Sequence, residues 1–532
     1  MKKLFLLIIL FVFVSGYTLL AQTKVITGTV TSAVAGEGAI PGVSVSVKGT
    51  TIGAITGVNG KYSLTAPQNA TTLIFSYIGM KKQEVQIGSR SVIDVVMESD
   101  LLGLDEVVVT ALGISREKKA LGYSVQDLGG ENIEKTKVSN IVNAFQGKLS
   151  GVQITNSDGG VASGVRVIIR GVNSLSASGN TQPLFIVDGV PINNTTSETG
   201  AYGGRDYGNA AGDINPSDVE NISVLKGASA AALYGSRAVN GVILITTKSG
   251  KSRVGQTGLG VTLEENVMWE TPLVLPKYQN LYGQGSSGDN GGEFEYVDGN
   301  YGGLNDGVDE SWGPRLDGRL IPQFDSPYDP ETGVRTPTPW IAHPDNIKSF
   351  FQTGLKTTTS LAVAGAKQGA NFRLSLSNQK IKGIFPNTDL TKNNIALNGE
   401  LAVTDRITVG GSATYISNKS ENIAENGYNG GNPMQSLGQW FGRQVDMQVL
   451  KDKWQETDPV TGLPFNWNHS YHNNPYWTLN KNTNSRNRDR MIGNINLGWK
   501  LTAWLSFKAM AGTDWYVEDI VERTAQGDVG RG

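Results

Sequence analysis

From Val261 to Trp515, apolar and polar residues take turns in short runs, and a period of two confines those runs to β-strands with one apolar face. Val261, Leu263, Val267 and Trp269 alternate with Thr262, Glu264, Asn266 and Met268. Phe372 to Ser377 does the same, as do Ile395, Leu397 and Leu401 against Asn398 and Glu400. Ile407, Val409, Ala413 and Tyr415 alternate with Thr408 and Thr414; Ile495, Leu497, Trp499 and Leu501 alternate with Asn494, Asn496 and Lys500; Leu505 to Trp515 continues the pattern. Runs of about ten residues suffice for a strand tilted at about 45° to cross a bilayer. Trp269, Trp499, Trp504, Trp515 and Tyr415 sit near the run ends, where interfacial aromatics belong. A soluble β-sandwich alternates in the same way, so periodicity alone leaves both architectures open.

The start of the chain narrows the choice of compartment. Lys2 and Lys3 precede an apolar run from Leu4 to Val14, and Ala21 ends a plausible cleavage region, so residues 1–21 read as a secretory signal. That run spans roughly 16 Å as helix, about half the hydrocarbon core, which is too short for a permanent span. No later segment approaches 18 apolar residues. The 67 glycines suit turns and short strands, and 46 Lys plus Arg against 48 Asp plus Glu give no basic excess for nucleic acid. Cysteine is absent, which excludes thiolate chemistry, disulfides and a lipid-modified cysteine on this chain.

Residues 25–98 read as a small all-β domain of about seven strands. Ile26 to Val30, Val43 to Val47, Tyr62 to Leu64, Leu73 to Phe75, Val85 to Ile87 and Val92 to Val96 are strand-like, and Asn59-Gly60 predicts a tight hairpin. Residues 118–250 have a mixed texture. Ser139 to Leu149 places Ile141, Val142, Phe145 and Leu149 on one helical face; Val152 to Ile154, Val165 to Ile169 and Pro183 to Val187 read as strands, the last running into an Asp188-Gly189 turn. Asn215-Pro216 is a cap followed by proline, and Ala228 to Tyr234 is a short helix stopped by Gly235 before a strand at Val242 to Thr247. From 258 the alternating strands follow, interrupted by two polar, aromatic-rich segments, Pro272 to Thr353 and Asn418 to Arg488, that are too long and polar to cross a membrane. Barrel loops are long on the outer face, so both are expected outside.

Catalytic signatures fail on inspection. Gly250-Lys251-Ser252 has Ile245 where a phosphate loop needs glycine, and the S-x-x-K matches at Ser115 and Ser377 have no downstream K-T-G. His469 and His472 lie in a polar segment without an evident carboxylate, and Asp306, Asp309 and Glu310 lack calcium-loop spacing and are expected to be solvated. No enzyme, cofactor or metal site is expected. Trp312, Trp340, Trp440, Trp454, Trp467 and Trp477 fall among Asn, Asp and Gln in the outer segments. Flat aromatic faces beside short polar groups suit sugar rings, and peptides as well; packing within the loops is the equal alternative. Trp312, Trp340, Trp440 and Trp467 are the contact candidates for a ligand or partner.

Between the first two domains, residues 104–117 form a linker in which Asp105 and Glu106 precede Val107, Val108, Val109 and Thr110, all favouring extended backbone. Such a segment is suited to adding a strand to another protein's sheet edge. LDEVVVTALGISREKKALGYSVQ resembles the Ton box of TonB-dependent receptors of the SusC/RagA family of the Bacteroidetes. PGVSVSVKGT, GVNGKYSL and FSYIGMKKQEV resemble the carboxypeptidase-regulatory-like domain that precedes such receptors. GVRVIIRGVNSLSASGNTQPLFIVDGVPI and INPSDVENISVLKGASAAALYGSRAVNGVILITTKSG resemble their plug, and SWGPRLDG another segment of theirs.

The resemblance implies a mostly β chain: a seven-stranded sandwich, an α+β plug over 118–250, and over 258–532 the first strands of a transmembrane antiparallel barrel. Barrels of the family have about 22 strands, so this one is expected to be incomplete here. It further implies energised import of oligosaccharides or peptides through the outer membrane. The partners would be TonB with its inner-membrane energising complex, meeting Asp105 to Thr110, and a SusD-like lipoprotein lid. Arg170 and Arg237 would pair with the barrel wall. The rival functions are a siderophore or vitamin receptor without a lid, and a secreted β-rich adhesin.

Overall fold

The computed structural model describes residues 23–33, 38–77, 80–98, 107–109, 115–117, 125–156, 160–172, 181–194, 203–227, 229–253, 258–286, 296 and 308–529, so the leader read at 1–21 lies outside it. The chain divides into two units, one reaching to Val108 and the other holding nearly everything after Leu121.

In the first unit, Thr23–Ser32 lies between Lys61–Pro67 and Val95–Met97, while Ser44–Val47, Gly53–Ile55, Thr72–Ser76 and Gln83–Gln86 make a second sheet. Alternate residues from both, among them Ile26, Val30, Val45, Leu64 and Phe75, close one core. Tyr62 lies edge-on to Phe75 at 5.6 Å and donates its hydroxyl to the carbonyl of Ile93 at 2.9 Å, which satisfies the one polar group that ring brings inside. The seven-strand expectation matches. The Asn59-Gly60 turn forms, with Gly60 at φ +71°, but it is no hairpin: Gly53–Ile55 pairs with Ser44–Val47, and Lys61–Pro67 with Thr23–Ser32. The turn therefore carries the chain from one sheet to the other. A Cβ on Gly60 would meet the Val30 carbonyl at 2.5 Å, so the crossing leaves no room for a side chain.

The second unit starts with a mixed five-stranded sheet in the order Val125–Gly129, Val219–Leu225, Val242–Thr247, Leu184–Val187, Val190–Ile192. Asp188 and Gly189, both at positive φ, join the last two in a tight hairpin, as their residue types predict. Ile141, Val142, Phe145 and Leu149 are all buried, yet Ile141–Phe145 is a single 3₁₀ turn rather than an α-helix. The Asn140 side chain caps it and Gly147 turns left-handed just beyond, so the apolar face forms without the helix length to propagate.

Around the plug stands a seven-stranded antiparallel meander: Gly260–Glu270, Gly354–Lys367, Ala370–Lys382, Asp389–Ala402, Ile407–Ser420, Asn484–Lys500 and Ser506–Glu522. One register row runs Leu263, Leu361, Leu376, Ile395, Tyr415, Met491, Trp515, and all seven side chains are exposed on the outer face. Two residues further toward the long connections the row reads Glu265, Thr359, Asn378, Asn393, Ser417, Asp489, Val517. The outer face thus changes from apolar to polar within one pleat across six of the strands, as a lipid boundary requires. Trp499 and Trp504 are exposed at the opposite, short-turn end. Gly354–Lys367 is a strand the alternation did not mark, because its Thr-, Ala- and Gly-rich sequence carries little contrast between faces.

The long connections all emerge at the polar end, and they are not loose loops. Phe324, Ile347 and Phe350 from the first pack with Phe441, Met447, Leu450, Phe465 and Tyr476 from the second in one core. Arg335 reaches across to Asp458 at 2.6 Å with both buried, and Arg443 binds Asn280 and the carbonyl of Pro344. The second connection ends at Thr483 rather than Arg488, since Asn484 to Arg488 already belongs to the barrel strand.

Candidate functional site

The inner face of Asn484–Lys500 presents Asn484, Arg486, Arg488, Arg490, Ile492 and Asn494 at alternate positions, all buried. Three guanidinium groups in one stripe need opposite charge. Glu518 and Asp514 on the neighbouring strand take Arg486 at 2.6 Å and Arg490 at 2.7 Å. The remaining acid comes from the plug. Asp213 ends the turn Ala210–Asp213, which the Asn209 side chain caps. Its carboxylate binds Arg488, lies 3.6 Å from Arg490 and accepts from Asn418 at 2.9 Å. Burial pushes this carboxyl upward, but Arg488 and its neighbours prevail and hold it below the usual carboxylate range. Lys392 donates to the Gly212 carbonyl at 2.6 Å and Asn394 to that of Asp213 at 3.2 Å, so the wall grips main chain and side chain of one turn.

A second contact joins the plug to the outer segments. Gly203–Gly204 pairs antiparallel with Asn426–Gly427, and Arg205 binds Glu425 at 2.9 Å and Glu522 at 3.4 Å. Gly203 is at φ +144°, and a Cβ there would lie 2.3 Å from the Asn426 carbonyl, which makes glycine obligatory. Tyr207 donates to Glu522 at 2.7 Å, and burial together with that carboxylate raises its hydroxyl well above the ordinary range. Lower contacts complete the grip: Arg373 with Asp218 at 2.8 Å, Lys251 with Glu400 at 2.9 Å, and Asn398 with Thr247 at 2.9 Å. Glu425→Gln is expected to cost about 2 kcal/mol of this outer contact, the worth of a charged hydrogen bond, because Glu522 still compensates Arg205. Hydrogen exchange of the amides at 421–432 should rise more than tenfold.

Such an arrangement is a domain held inside a sheet by many polar contacts, any of which water can replace. Residues 117–242 match the TonB-dependent Receptor Plug Domain, and residues 26–109 the CarboxypepD_reg-like domain. The TonB-dependent receptor SusC of Bacteroides thetaiotaomicron is 28% identical over 94% of the chain and 45% of its own length. The chain is a TonB-dependent receptor of the SusC/RagA type. The receptor P39 of Formosa agariphila is 38% identical over 46% of the chain and 22% of its own length. The fold is also that of a RagAB peptide importer in its open-open state, with a TM-score of 0.56 at 21% identity, covering 79% of this chain and 44% of that one. The chain thus spans less than half the length of these relatives.

The receptor's plug clamp uses other residues than the two arginines singled out from sequence. Arg170, at φ +59°, points its guanidinium at the carbonyl of Lys226 within the plug, and Arg237 is exposed beyond a short plug helix. Neither meets a barrel carboxylate among the described residues. The stripe at 486, 488 and 490 is not apparent from sequence because the polar segment Asn418 to Arg488 takes in its first two residues; their period-two spacing is the available signal.

Of the tryptophans, Trp312 is 66% exposed, and Trp440 is half-buried. Trp340 and Trp467 are 0% and 2% exposed: Trp467 packs in the outer core, Trp340 lies against Tyr296 at 4.6 Å, and ligand contact by either would require these segments to open. Trp467 stacks on His472 at 4.9 Å, and His472 bonds Asp309 at 2.7 Å, so Asp309 is engaged rather than solvated and the histidine does have a carboxylate. Asp105, Glu106 and Thr110 lie outside the described residues. Val107–Val109 is extended and pairs with Ser115–Glu117.

Proposed function

We propose that the full-length receptor imports oligosaccharides or peptides across the outer membrane, driven by TonB and capped by a SusD-like lipoprotein. The observation that carries this is the clamp at Asp213. A plug fixed to the wall by exchangeable ion pairs and amide bonds, and paired through Gly203–Gly204 to the outer segments, is a part that an external ligand and an internal pull could both bias. Asp105 to Thr110 would reach the periplasm and add a strand to TonB, whose pull couples the inner-membrane gradient to plug movement. Residues 1–21 would direct export, 25–98 form the accessory sandwich, 104–117 the tether and 118–250 the plug, with the barrel from 258 onward in the outer membrane. That one neighbour in fold is a peptide importer keeps peptides beside oligosaccharides as ligand class.

The test is to tag the native full-length protein, extract it from outer membranes in mild detergent and identify by mass spectrometry what stays bound. A stoichiometric lipoprotein is the expected result. A receptor recovered alone would favour the lidless siderophore or vitamin type, and recovery only from the soluble fraction would overturn the barrel.

A further inference from the structure

Between the outer side of the plug and the wall lies a cavity of about 1080 Å³, lined by plug loops at 136–143, 160–163 and 207–213 and by Met268, Ile381, Phe385 and Leu390 from the wall. Lys356, Lys392 and Arg486 line it as well. The charges around it do not cancel. Lys137 pairs with Glu264, Arg486 through Nε with Glu518, and Asp213 with Arg488. Glu270 faces Lys356 electrostatically. Among the described residues, five cations thus meet four carboxylates. Lys392 has no carboxylate to itself: it shares Asp213 electrostatically with Arg488, and among the described residues its ammonium bonds main-chain carbonyls, Gly212 at 2.6 Å and Ser139 at 3.4 Å. Beside it Arg486, 1% exposed, has an Nη2 with no hydrogen-bond partner. A buried guanidinium nitrogen without an acceptor is costly, and buried cations are ordinarily met by an anion.

We infer that this cavity takes an anionic group, a carboxylate or sulfate carried by an oligomeric ligand, held by Lys392 Nζ and Arg486 Nη2 with the apolar wall against its uncharged portion. This rests on the import reading and specifies its ligand class. Arginine supplies the directed donor and lysine the charge, the usual division at such sites. The volume fits a few sugar or amino-acid units.

The test is calorimetric binding to the full-length receptor in detergent, using two matched pairs: pentagalacturonate against its methyl ester, and Ala-Glu-Ala-Glu-Ala against Ala-Gln-Ala-Gln-Ala. In at least one pair the acidic member should bind about tenfold or more tightly. Lys392→Gln should remove most of that preference. Arg486→Lys, which keeps the charge and loses Nη2, should weaken it, and Lys500→Gln, exposed at the short-turn end of the wall, should leave it intact. Heat-modifiable migration on gels shows that each variant is folded. No preference in either pair, or one that survives both substitutions, overturns the assignment and leaves import standing. A lysine-dependent preference in a receptor with no energised uptake sustains it and overturns import.

Discussion

Asp213→Ala is expected to weaken the hold of the barrel on the plug by about 3–5 kcal/mol, the usual cost of removing one partner from a buried ion pair. The loss is large because of what stays behind. Arg490 keeps Asp514, but Arg488 is left with Glu518 at 3.9 Å, a poor substitute. The contacts that survive at this turn, Lys392 to the Gly212 carbonyl and Asn394 to the main-chain carbonyl at 213, are worth about 1 kcal/mol each and are too weak to compensate. Amides of residues 203–218 in the full-length receptor should therefore exchange more than a hundredfold faster, since 1.4 kcal/mol is a factor of ten. Asp213→Asn keeps the shape and the hydrogen bond to Asn418, so a comparable acceleration in that variant assigns the effect to charge. Unchanged exchange in both would remove Asp213 as the clamp.

The pH dependence follows from the same carboxylate. Its value in the folded receptor lies below that in the unfolded chain, ordinarily about 3.9. The stabilisation is therefore complete above that pH and disappears only as the pH falls through the depressed folded value. Exchange of 203–218 should stay flat from pH 8 to about 5 after correction for intrinsic rates, and rise in stronger acid.

Deleting Asp105 to Thr110 is expected to abolish energised uptake while leaving export, barrel assembly and ligand affinity at the level of the intact receptor. Strand addition draws its energy from main-chain hydrogen bonds along a continuous extended segment, and no such stretch of β-branched residues recurs between 98 and 125. The measurement pairs equilibrium binding on outer membranes with accumulation in cells, with and without a protonophore, for the ligand recovered with the receptor. Accumulation that persists without the segment and still collapses with the protonophore would place the TonB contact elsewhere.

Period-two alternation and turn chemistry made six of the seven wall strands and the sandwich visible before any fold was known, because side-chain direction in a strand depends only on odd or even position. The Asp188-Gly189 hairpin and the caps at Asn215 and Gly235 were legible for the same local reason. Other features required the tertiary structure. Asn59-Gly60 bends alike in a hairpin and in a sheet-to-sheet crossing; only the pairing of the flanking strands distinguishes the two. Trp467 carries the composition of a sugar site, and whether it faces ligand or core depended on packing against Phe324, Ile347 and Phe350, more than a hundred residues away.

The same holds for charge. Arg170 and Arg488 are alike in sequence, and the distance between each and a carboxylate is a property of how the plug seats in the wall. Asp213 meets Arg488 across 275 positions. Local rules thus determined which segments are strands, which faces are apolar and where lipid begins. The choice of which buried charges meet, and which one is left to face the cavity, came only with the packing of plug against barrel, because Coulomb energy depends on separation in space and not along the chain.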